Sequence, residues 1–229
     1  LKTIYDLGFI NCFRVVIYRL IKKSKILIFF SPINDGDSLV FTPTSQKLVN
    51  FDYEWFNDSR VSLLKEANQI CSGFFIFFNH SKHCVTENPK WHKDYKSKFI
   101  FESKKHWTLI SDSPEIDIKN CWELSRWDWI NYLAIAWKLT GKKKYISTIN
   151  SWSKSWMECN PFNQGSNWLC AQEVSIRLIH VLQALFLIEE IHKPEKRLSS
   201  NQEDFIAKHL KRTKMTIVMT LKRINWQLI

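Results

Sequence analysis

The amino-acid sequence predicts an all-α fold, a helical barrel or bundle behind an irregular, aromatic-rich N-terminal segment. Three observations carry this. From residue 117 onward, apolar residues recur at three- and four-residue steps in four successive stretches. Short turns built on Gly141 and on Pro161 to Gly165 separate the first three stretches. No repeat of fixed period runs through them, which favours an irregular barrel over a regular solenoid.

Residues 3 to 25 place Ile10, Phe13, Val16, Ile17 and Leu20 on one side with Arg14 and Arg19 between them, so an amphipathic helix is expected, ending in lysines. From Ile26 to Asp58, Pro32, Gly36 and Pro43 mark a loop-rich connector with one short extended piece at Leu39 to Phe41. A short helix is expected from Ser59 to Ile70. Phe74 to Ile110 mixes aromatic and β-branched residues with turns, which predicts short strands or ordered irregular chain.

Beyond Pro114 the pattern turns helical. Asp117 is the expected N-cap of a helix whose Trp122, Arg126, Trp129, Leu133, Ala136 and Trp137 share a face, and Gly141 is its expected stop. The next helix, Lys144 to Glu158, aligns Ile146, Ile149, Trp152 and Trp156. The third, Asn167 to Ile191, is apolar nearly all round and is expected between neighbours. The fourth opens at a capping box, Ser200 to Glu203, and turns Phe205, Ile206, Leu210, Ile217, Val218 and Leu221 inward to about residue 221. These assignments divide one continuous domain into a lead-in, residues 1–115, and a helical part, residues 116–229.

Composition narrows the partners. The chain has 229 residues, 45% hydrophobic and 14% aromatic, enough to build a core and to exclude global disorder. Its formal net charge of +11 favours an anionic partner: an acidic polysaccharide, a nucleic acid or a membrane surface. The basic residues are spread along the chain, which disfavours nucleic acid. The apolar run Ile26 to Phe30 is far too short to span a bilayer, so no transmembrane segment is expected. Six Cys stand without a zinc-type spacing, and no Gly-rich phosphate loop, serine elbow or zinc helix occurs, so neither metal nor cofactor is expected.

Two clusters carry candidate chemistry. In "NPFNQGSNWLCAQEVSIRLIHVLQAL", Asn160 to Leu185, Glu173 and Arg177 stand one turn apart in the favourable order for a pair. Such a pair either satisfies itself inside a barrel or sits at a cleft, where Trp168 offers a flat face to a sugar ring and Asn167, Gln172 and Arg177 offer hydrogen bonds. In "DIKNCWELSRWDW", Asp117 to Trp129, Arg126 lies three residues from Glu123 and shares a face with Trp122 and Trp129. Arginine between indoles suits an anionic saccharide, or else is a stacked core residue. His80, His83, His92 and His106 lie in the irregular segment with no helix to hold them at ligand spacing, and His180 is expected as a satisfied core histidine.

The ordered series "LGFINCFRVVIYRL", "PKWHKDYKS", "HWTLISD", "DIKNCWELSRWDWINYLAIAWKLTGKKKY" and "WMECNPFNQGSNWLCAQEVSIRLI" resembles the N-terminal helical domain of the heparinase II/III-like polysaccharide lyases. The resemblance implies an incomplete (α/α) toroid, truncated at its C-terminal side. It also implies a bacterial cell-envelope setting and a glycosaminoglycan or other uronate-containing polysaccharide as substrate. The implied reaction is β-elimination, in which an Asn-His pair neutralises the uronate carboxylate, a His or Tyr removes the C5 proton, and a Tyr protonates the leaving oxygen. On that basis Trp122, Arg126, Asn167, Trp168, Gln172, Glu173 and Arg177 are expected to shape the substrate cleft. The chain departs from the family after the fourth helix. It reads "LKRINWQLI", so Asn225 is the candidate for carboxylate neutralisation while Trp226 stands where the His belongs. The catalytic Tyr and the C-terminal β-sandwich are missing too, so the expectation is a lyase fragment without turnover or, alternatively, a non-catalytic module that binds acidic polysaccharide, and in either case uncovered apolar faces favour self-association.

Overall fold

The computed structural model describes residues 8–34, 38–43, 54–111, 116–191 and 193–221. Asn225 lies outside them. The chain is mostly helical, with one two-stranded sheet. Helix α1 (Phe9–Lys23) and the short α2 (Ile26–Phe30) come first. Helix α3 (Glu54–Cys71) leads into the antiparallel hairpin of β1 (Phe74–Phe77) and β2 (Ser81–Cys84). An irregular stretch containing a 3₁₀ turn at Trp107–Leu109 follows. Then come α4 (Lys119–Ser125), α5 (Asp128–Thr140), α6 (Lys143–Cys159), a second 3₁₀ turn (Ser166–Trp168), α7 (Ala171–Glu189) and α8 (Ser200–Leu221).

Helix α5 is the hub. It packs against α3, α6 and α7, while α7 also packs against α8 and α4. This explains why α5 and α7 are apolar on most sides: each is gripped by at least three neighbours. The core continues into the lead-in, since Leu39, Phe41, Phe75, Trp91 and Trp107 join one buried cluster with Trp129, Trp152, Trp156 and Leu185. The Leu39–Phe41 piece is tied down by Asn150 of α6, whose side chain accepts from Phe41 N at 2.8 Å and donates to Phe41 O at 3.1 Å.

Several expectations need correction. Ile26 to Phe30 is helical rather than loop. The single helix expected from Asp117 to Gly141 is two helices, broken at Trp127, whose φ of 66° is left-handed. The kink costs backbone energy but sends a fully buried indole against Trp129, Trp156 and Phe205. The apolar step pattern continues across the break, so periodicity alone cannot register it. Gly141 does stop α5 in a left-handed C-cap. The capping box of α8 lies one residue early: Ser199 Oγ accepts from Gln202 N, and Gln202 Oε1 accepts from Ser199 N. The inward row of α8 is accordingly Gln202, Phe205, His209 and Arg212, and Leu210 faces solvent. Helix α1 presents Phe13, Val16 and Leu20 outward.

Helix α7 has the length and mean hydropathy, 1.4, of a membrane span, yet it is embedded among α4, α5 and α8 and carries buried Glu173 and Arg177.

Candidate functional site

The seven expected cleft residues fall into two sets, one partly exposed and one sealed. The break between α4 and α5 creates the first. Arg126 is the last residue before the kink, so its side chain emerges at the surface while Trp127 dives inward. Its guanidinium is clamped by two carboxylates. Glu173 of α7 accepts bidentately, from Nε at 2.6 Å and from Nη2 at 2.9 Å, and Glu123 of α4 accepts from Nη1. Both carboxylates are nearly buried, with side chains 8% and 10% exposed, against 24% for Arg126. Such a fork is geometrically rigid. Trp122, half-buried, donates from Nε1 to Ser166 O at 2.9 Å, and Gln172 is exposed at the start of α7.

The expected Glu173 to Arg177 pair is therefore replaced by Glu173 to Arg126, a tertiary contact that overrides the one-turn rule. Trp129 is wholly core, so Arg126 sits on carboxylates rather than between two indoles.

The second set is interior. Arg177, Trp168 and Asn167 are 0%, 2% and 0% exposed. Arg177 donates to His209 Nε2 at 3.0 Å, Ser125 O at 3.0 Å and Asn167 O at 3.3 Å, with its guanidinium 4.3 Å from the Trp156 ring centroid. Burial pulls its pKa down to about 9. His209 donates from Nδ1 to Phe205 O and so is a neutral acceptor at Nε2, its pKa driven well below the ordinary value by burial and then by Arg177. Arg212 of α8 donates to Trp168 O and Leu169 O. Together Trp122, Arg177 and Arg212 donate to the carbonyls of residues 166 to 169, of which only Ser166 O also accepts from within the turn, from Leu169 N at 3.1 Å. Gly165 enters that turn at φ 85°, and a Cβ there would stand 2.7 Å from His92 Cε1. Asn167 locks the same turn, donating to Trp91 O and Asn160 Oδ1.

Sequence reasoning missed His209, Arg212, Asp128 and Glu66. The first two were signalled by their spacing of four and seven from Phe205. Asp128, beside the Arg126 fork, has its carboxyl raised to about 7, by burial first and by Glu123 next. Burial also raises Glu66 and Tyr132. Carboxylates thus outnumber the one guanidinium here, a balance suited to accepting hydrogen bonds from hydroxyl groups rather than to attracting an anion. Arg126 has five N–H groups, of which three are committed to the carboxylates, leaving two for a ligand.

The histidines divide in the same way. His92 bridges Ser166 Oγ and Cys159 O, His106 bridges Thr108 Oγ1 and Ser31 O, and His180 donates to Arg126 O at 2.7 Å. Among the described residues no group of three or more His, Cys, Asp or Glu side chains is placed to hold a metal ion. Comparison of the chain with protein-family models, with curated proteins and with solved structures found no match.

Proposed function

We propose that the chain forms the first helices of an incomplete (α/α) toroid and is the N-terminal, glycan-facing part of a polysaccharide lyase. That enzyme would cleave a uronic-acid-containing glycan by β-elimination, and this segment would bind the glycan without turning it over. The carrying observation is the partly exposed surface of Trp122, Arg126 and Gln172, its guanidinium held rigid by Glu123 and Glu173. An indole face and a fixed donor beside carboxylate acceptors match the apolar face and hydroxyl rim of a sugar ring. The basic net charge of +11 supplies long-range attraction for an acidic chain. Elimination at a uronate requires donors converging on its carboxylate and a base at C5, and the sequence has Trp226 where the resemblance wants a His.

Calorimetry with heparan sulfate and alginate oligosaccharides, run beside an absorbance assay for unsaturated uronate, tests this. Binding without product is expected, and Trp122→Ala or Arg126→Gln should each weaken it about tenfold, or about 1.4 kcal/mol. Product from the chain overturns the no-turnover part. Absent binding, or binding indifferent to both substitutions, overturns the rest.

A further inference from the structure

Next to the Arg126 fork, on the far side of Glu123, lies a pocket of about 140 Å³ between the β-hairpin, the turn at residues 94 to 98 and the start of α4. Glu123 joins the two places, because its second oxygen, Oε1, accepts from Phe78 N at 2.9 Å. Phe78 stands in the hairpin turn at a left-handed φ of 52°, beside Asn79 at 60°, a conformation costly for an aromatic residue and found where surroundings enforce it. The result is a Phe78 ring 38% exposed at the pocket rim, with Phe77 and Tyr95 forming the wall behind it.

The polar groups around this wall are unevenly committed. Asp94 is spent on structure: Oδ1 accepts from Lys96 N and Ser97 N, and Oδ2 from Ser97 Oγ and Asn120 Nδ2. His80 Nδ1 is bound to Phe78 O, and His83 Nε2 to Ser81 Oγ. Left over are the second nitrogen of each imidazole, the Lys96 ammonium and Asn120 Oδ1, none of which has a partner among the described residues. A cation, two imidazoles and an amide oxygen thus border a partly aromatic hollow, the usual make-up of a small-molecule site. The volume is close to the roughly 150 Å³ of a cavity that admits benzene, so it holds part of a sugar ring, and the pocket's open side takes the rest.

We infer that this pocket binds one carboxylated sugar ring, with Lys96 and the imidazoles on the carboxylate, Asn120 on a hydroxyl, and Phe78 against the ring face. The choice of a uronate rests on the acidic-glycan reading, and the pocket supplies the anion recognition that the carboxylate-rich Arg126 surface lacks.

The test is an NMR titration of the full chain, following the imidazole signals of His80 and His83, with sodium glucuronate and, as the uncharged arm, glucose. Saturable shifts with glucuronate are expected, weaker by about fivefold or more in exposed-site Lys96→Ala, as loss of one partly solvated ion pair would give. They should vanish in Lys96→Glu. Equal shifts with glucose, no saturable shift, or shifts unchanged in Lys96→Glu would overturn the inference. Long-chain glycan binding that survives when glucuronate fails sinks the pocket alone. Glucuronate binding without any long-chain binding sinks the glycan reading and keeps the pocket.

Discussion

Replacing Arg177 with Met keeps the length and apolar stem of the side chain but removes every donor. Three buried acceptors, Ser125 O, Asn167 O and His209 Nε2, then lose their partner, at about 1–3 kcal/mol apiece. The Trp156 face, 4.3 Å from the guanidinium, loses a desolvated cation–π contact, about 2 kcal/mol. Against this, the variant is relieved of several kcal/mol spent on stripping water from the buried charge. The losses win, because three neutral acceptors remain stranded. The expected net destabilisation is about 3–5 kcal/mol, what remains once the regained desolvation is set against the three lost acceptor bonds and the lost cation–π contact. For a chain of this size that is a fall in midpoint temperature of roughly 6–20 °C. Urea and thermal unfolding followed by tryptophan fluorescence read it directly, and Arg177→Lys, which keeps the charge but not the fork, should fall between parent and Met. A Met variant within about 1 kcal/mol of the parent would refute the reasoning, since the guanidinium would then not be what satisfies these acceptors.

Other outcomes follow from the same geometry. Asp128 has a folded pKa raised to about 7, so the folded state holds its proton more tightly than the unfolded one, and stability drains away as pH rises from about 4 to about 7. Asp128→Asn should therefore raise the midpoint at pH 8 and change it little at pH 4.5, and an equal effect at both would rule this out. Gly165→Ala places a methyl against His92 at a positive φ, which should cost about 1–3 kcal/mol in urea unfolding. A neutral result would mean the turn has room to shift.

How much of this was legible depended on whether a local rule also governed the tertiary outcome. Helix α6 was readable because Ile146, Ile149, Trp152 and Trp156 follow a single face and all are buried. The Gly141 stop was readable because only the local backbone decides it. The Trp127 break was not, since the burial that rewards it comes from Trp156 and Phe205, distant in sequence. Glu173 illustrates the same limit at the site. Its neighbour on the helix face is Arg177, but the guanidinium within reach after folding is Arg126, and the sealed environment of Arg177 is built by His209, 32 residues on. The residues singled out were mostly those holding charge or indole rings near one turn. What the sequence could not show was which of them the helices would close over.

Gly165 to Leu169 is where three helices hand over their side-chain donors: Trp122 from α4, Arg177 from α7 and Arg212 from α8. None of these helices can swing away without taking a side-chain donor from a carbonyl of this turn. Amide protons in all three should then exchange with solvent in one concerted opening rather than helix by helix, making this short stretch the clasp of a single cooperative unit.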